Sequence, residues 1–116
     1  MLADATGRNP SGSGSATWTG LAEAASARTY TRHSGTASLT IPNLTDPRIT
    51  AQIIIAGSSI GSSAWNEMQL ARGRFGGGSA GVDRIEGVLA GSSHEEAWGV
   101  FDTGNWVGAF GARRSQ

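Results

Sequence analysis

Two carboxylates follow a histidine in His94-Glu95-Glu96, and Asp102 lies a few residues further on. A histidine among carboxylates can move protons as a general acid or base, or hold a divalent metal. Either chemistry needs a second, matching group of residues, and none stands out along the chain. Cysteine is absent, which removes thiolate metal sites, cysteine nucleophiles and disulfides together. The other histidine is His33, with Tyr30 near it. Serines are plentiful, but no G-x-S-x-G elbow presents one as a nucleophile. The run Gly73 to Gly81 is rich in glycine yet lacks the G-K-[ST] ending of a phosphate-binding loop, so it reads as a hairpin connection. These residues describe a chain that is not an enzyme.

Residue types suited to binding are better represented. Of the four tryptophans, Trp18, Trp98 and Trp106 fall in strand-like stretches and are expected to fill an interior. Trp65 borders the small-residue stretch 57–63 and is the aromatic expected to face a partner. With it go its neighbour Asn66 and, within the stretch, Ser58 and Ser59. His94 and Glu95 make a second expected contact point. Nine arginines balance nine acidic residues, with no lysine. A basic surplus is the usual mark of nucleic-acid binders, so no nucleic acid is expected as a partner. Arg72, Arg74, Arg84, Arg113 and Arg114 read as a solvated face paired with Glu67, Glu86 and Glu95. Asn43-Leu44-Thr45 fits a glycosylation pattern, but its prolines make it a turn in any case.

Short strands must carry these residues. The chain has 116 residues, enough for one domain. Its 18 glycines argue against long helices, since each interior glycine costs roughly 1 kcal/mol against alanine. Ala37, Leu39 and Ile41 alternate with Thr36, Ser38 and Thr40, and Ile49, Ala51, Ile53 and Ile55 repeat the pattern; this is the period of a half-buried strand. Ile54 breaks the polar face. Further strands are expected around Trp18, over Glu67 to Phe75, and over Asp83 to Gly91. Two more follow, Glu96 to Phe101 and Trp106 to Arg113, joined by the hairpin turn Asp102-Thr103-Gly104-Asn105. A helical turn is allowed at Ala22 to Ala27, while Thr29-Tyr30-Thr31 favours extended chain. Gly76 to Gly81 is expected to be a turn. Seven or eight strands punctuated by turns imply an all-β meander, and glycines inside strands favour a barrel over a sandwich. Residues 1–15 read as a Gly/Ser-rich arm and 16–116 as the single barrel domain. Met1-Leu2-Ala3-Asp4 does not have the make-up of a signal peptide. No apolar run reaches the roughly 18 residues of a membrane helix, so no membrane insertion is expected.

The last third carries a resemblance. Asp83-Arg84-Ile85-Glu86-Gly87-Val88-Leu89-Ala90-Gly91, then Glu96-Ala97-Trp98-Gly99-Val100-Phe101, then Val107-Gly108-Ala109-Phe110-Gly111-Ala112-Arg113 resemble the closing strands of transferrin-binding-protein-like barrels. Gly7-Arg8-Asn9-Pro10-Ser11-Gly12 followed by Ala16-Thr17-Trp18-Thr19-Gly20 is similar to the opening of such domains. The family often has F-Y-G where this chain has Val88-Leu89-Ala90-Gly91, and its long specificity loops are short here. The resemblance implies a small antiparallel up-and-down barrel of about eight strands without a substantial helix. It also implies a bacterial protein at the cell surface or outside the cell. No lipobox cysteine is present, so a lipid anchor is not carried over. Some relatives hold haem through loop histidine or tyrosine residues. No cofactor is expected here, with haem as the minor alternative.

Function follows as a binding module that engages a protein or a small ligand through loop tips 57–66, 76–81 and 91–95. The alternative is a structural subunit that decorates or cross-links a virion, filament or surface layer. Its arm, with Arg8, Asn9 and Pro10, would then dock on a neighbouring copy by strand addition.

Overall fold

A computed structural model describes residues 9–26, 28–55, 62–79, 83–91, 93–104 and 106–115. They form eight strands and no helix. The strands are β1 (Ala16–Ser26), β2 (Arg32–Ile41), β3 (Arg48–Ile55), β4 (Ser62–Gln69), β5 (Arg74–Ser79), β6 (Asp83–Ala90), β7 (Glu96–Asp102) and β8 (Trp106–Arg114). All neighbours pair antiparallel, in the order β4-β3-β2-β1-β8-β7-β6-β5. The first and last strands therefore meet in mid-sheet, with Trp18 opposite Arg114 and Ser26 opposite Trp106.

The sheet curls into a nearly closed barrel. β4 and β5 are its two outermost strands, and among the described residues they share one bridge, Ala71 to Arg74, at their connecting turn. Beyond that turn, side chains close the seam in place of a ladder. Met68 and Trp65 of β4 lie over Gly77 of β5, where an added Cβ would stand 3.0 Å from the Met68 sulfur and 3.8 Å from the Trp65 ring.

Alternation explains which way each strand faces. Trp18, Leu39, Ile41, Ile49, Ile53, Ile85 and Leu89 point inward and are fully buried. Threonine, serine, glutamate and arginine point outward, and the outward Ile54 is exposed. The lumen is apolar and the outer wall mostly polar, with Leu21, Val100 and Val107 exposed on it beside Ile54. Three inward phenylalanines sit opposite glycines on the adjacent strand: Phe75 opposite Gly87, Phe110 opposite Gly99, and Phe101 opposite Gly108. A Cβ at any of these glycines would collide with the facing ring. The glycines thus let strands coil tightly while the rings fill the space above them.

The segment before β1 packs on its own barrel. The Asn9 side-chain amide donates to the Leu70 carbonyl at 3.0 Å, and its oxygen accepts from the Gly73 N–H at 2.8 Å. Pro10 is buried, and the Leu44 N–H donates to the Gly14 carbonyl at 2.8 Å. This end of the barrel also carries turns 42–47, 70–73 and 91–95. The opposite end carries the turns at 28–31 and 103–104.

Three local expectations change. Glu67 to Phe75 is not one strand, because Arg72 and Gly73 adopt left-handed conformations (φ 55° and 76°) and turn the chain. Gly76 to Gly78, expected in a turn, lie in β5, held by a regular register from Arg74–Val88 to Ser79–Asp83. Residues 22–26 continue β1, and 28–31 form the turn that follows it, with Tyr30 at φ 59°.

Candidate functional site

Trp65 does not face a partner. It is buried at 6% exposure, on the inner wall. The cause is a bulge: the register between β3 and β4 shifts from Ile49–Met68 to Ala51–Trp65. Two residues, Asn66 and Glu67, stand opposite Thr50; Glu67 adopts φ 51°, and its N–H donates to the Thr50 hydroxyl at 3.1 Å. Period-2 counting puts Trp65 and Met68 on opposite faces, and the extra residue puts both inside. Asn66 is exposed beside it. Ser58, Ser59 and Arg8 lie outside the described residues.

His94 is buried at 7% exposure within turn 91–95, in a left-handed conformation (φ 55°). Its carbonyl accepts a hydrogen bond from the Trp18 indole at 2.7 Å, which ties the turn to β1 across the end of the barrel. The Glu95 carboxylate folds back over Gly91 and accepts from the Ser93 N–H at 3.3 Å. Asp102 ends β7 at the other end of the barrel, about 20 Å from His94 by the rise along a seven-residue strand. The acid–base group suggested by sequence is therefore not assembled. Among the described residues no three histidine, aspartate or glutamate side chains converge as a metal-ligand group. Of the three expected contact loops, residues 62–66 and 76–79 lie in β4 and β5, residues 93–95 lie in the turn before β7, and 57–61 and 80–81 fall outside the described residues.

Turn 28–31 is the feature sequence reasoning missed. Tyr30 stands there 80% exposed, with Arg28 and Arg32 exposed on either side. Its hydrogen bonds are local and dense. The Tyr30 N–H donates to the Ser26 carbonyl at 2.9 Å, the Ser26 N–H donates to the Thr31 carbonyl at 2.9 Å, and the two threonine hydroxyls meet at 2.9 Å. The Ser26 hydroxyl accepts from the Arg28 and Thr29 N–H groups at 3.2 and 3.3 Å. A left-handed tyrosine is uncommon and costs backbone energy, so it persists where surrounding bonds over-determine it. Beneath the turn, His33 packs edge-on against Trp106 with ring centroids 4.8 Å apart. The available signal was an aromatic between two arginines in the gap between two alternating strands.

Together these features define a β-barrel with a packed lumen that displays an aromatic, cationic tip on one end. No family model matches the chain and no curated protein does. Solved structures do. Transferrin Binding Protein B from Actinobacillus pleuropneumoniae, a vaccine antigen, is similar over 97% of this chain and 66% of its own, with a TM-score of 0.66 at 13% identity. A protein described as a surface lipoprotein is similar over 93% of this chain and 66% of its own, with a TM-score of 0.61 at 15% identity. The chain thus has the fold of a Transferrin Binding Protein B-like barrel and spans about two thirds of each neighbour's length.

Proposed function

We propose that this chain is a non-enzymatic binding module of a bacterial surface or secreted protein and that it engages a protein partner through turn 28–32. The observation that carries this reading is Tyr30, held 80% exposed in a strained, hydrogen-bonded turn between two arginines. Tyrosine and arginine dominate interface hot spots. A tip already fixed in shape loses little entropy on binding. The fold neighbours support the class, since one is named for binding transferrin and the other is a surface lipoprotein. The alternative, a structural subunit joined through its arm, draws less support, because Asn9 and Pro10 are engaged on their own barrel.

The test uses the immobilised full chain exposed to purified transferrin and to whole serum. Retained proteins are identified by mass spectrometry and then titrated in pure form. Tyr30→Ala should weaken the titrated interaction at least tenfold, and Glu95→Ala, at the other end, should leave it unchanged. Equal binding by wild type and Tyr30→Ala would remove the tip from the site. No saturable partner in either source would count against the reading as a whole.

A further inference from the structure

We propose a second binding site, on the outer wall of β5, β6 and β7, for an amphipathic carboxylate: an apolar alkyl or aryl body bearing one anionic carboxyl group. A depression of about 550 Å³ opens there, within the size range of small-molecule sites. Two adjacent cross-strand rows build it. The first is Arg74, Val88 and Trp98, and the second is Gly76, Glu86 and Val100. Gly76 brings no side chain to its row, which leaves the gap. Val88 points outward yet is only 6% exposed, walled in by its neighbours; Val100 beside it is 56% exposed. The wall is held in place by the 70–73 turn, where the Gly73 carbonyl accepts from the Leu89 N–H at 2.7 Å.

Charge selects the occupant. The charged residues that line the depression are Arg74 and Glu86. Glu86 is bonded to Arg84, its neighbour on the same face of β6. That leaves Arg74, which lines the depression and has no carboxylate within ion-pair distance among the described residues. Asp102 stands opposite Arg84 in the next outward row, so among these residues the Arg74 guanidinium is the cation left without an ion-pair partner. A guanidinium over apolar surface binds a carboxylate by paired N–H···O contacts, and this geometry does not suit an amide or an alcohol equally. The apolar body of the ligand would cover Val88 and Val100 and lie against Trp98.

The experiment is an NMR titration of the isotopically labelled full chain with octanoate and, separately, with acetyl-Ala-Leu-Phe carrying a free C-terminus. Each acid is paired with its neutral amide. Saturable shifts clustered on β5 to β7 are expected for at least one acid, with its amide at least tenfold weaker. Octanoate alone would identify a lipid-like source, the peptide alone a protein C-terminus, and both the shared carboxylate. Arg74→Gln, an exposed and structurally mild change, should erase the difference between acid and amide. Val100→Ser should weaken acid and amide alike. Equal binding of acid and amide, an unaltered preference in Arg74→Gln, or no saturable shifts with either acid would each overturn the proposal. The result is independent of the partner site at Tyr30.

Discussion

Gly87→Ala offers the sharpest check on how the lumen is packed. A Cβ at this position would stand 2.8 and 3.0 Å from the two Cε atoms of Phe75, with Cζ nearer still, where ordinary contact begins at 3.4 Å. Phe75 is buried, so its ring must tilt or β5 must move away from β6. Overpacking of this kind costs about 1–3 kcal/mol. The unfolded chain loses freedom when glycine becomes alanine, and this offsets about 0.4–1 kcal/mol. The net expectation is a loss of about 1–2 kcal/mol, or a Tm lowered by about 4–8 °C for a domain of this size. Phe75→Leu alone should cost about 1 kcal/mol. The double variant should lose at least about 0.5 kcal/mol less than the sum, because the two residues meet directly. Gly99→Ala with Phe110→Leu is the control. There the added Cβ also meets the Glu86 carbonyl oxygen and comes within 2.7 Å of the Gly87 Cα, backbone atoms that no side-chain truncation relieves. Denaturant melts of the two cycles decide the matter. A neutral or stabilising Gly87→Ala, or equal rescue in both cycles, would refute ring-on-glycine packing.

Two further outcomes follow from single hydrogen bonds. Trp18→Phe removes the buried bond to the His94 carbonyl, whereas Trp65→Phe removes an indole N–H that has no partner among the described residues; Trp18→Phe should therefore be the more destabilising by about 1 kcal/mol in chemical denaturation, and equal losses would contradict that assignment. Asn9→Ala should cost about 1–2 kcal/mol and speed hydrogen exchange at the Gly73 amide at least tenfold, while unchanged exchange would mean that Asn9 does not cap the 70–73 turn.

How much the sequence foretells depends on whether the alternation runs unbroken. In β3 the residues Ile49, Ala51, Ile53 and Ile55 alternate cleanly, and the same four are buried. β6 to β8 were legible for the same reason, and their motifs pointed to the right barrel. β5 was not, because Gly76 to Gly78 carry no side chains from which to read a period; their strand is fixed by pairing with β6. Trp65 was misread because a bulge is one residue of backbone, and its cause, the Thr50 hydroxyl meeting the Glu67 N–H, comes from a different strand. The tip at Tyr30 was hidden by β propensity in Thr29-Tyr30-Thr31. What makes it a turn is the pairing of Ala25 with Arg32, which leaves the chain too few residues to stay extended. The outer depression was beyond reach, since it joins residues of β5, β6 and β7 that share rows only through register.

The meeting of β1 and β8 in mid-sheet has a consequence for how the molecule is made. β1 is made before the other seven strands, yet its second ladder is with β8, Trp18 finding Arg114 across nearly all of the described chain. Contacts of such sequence separation slow folding, because loop entropy is lost before they form. A partial chain keeps two unsealed edges and an uncovered apolar lining. The barrel therefore forms only once β8 has been made, and until then the free edge of β1 and the apolar inner face of the sheet lie open to other chains.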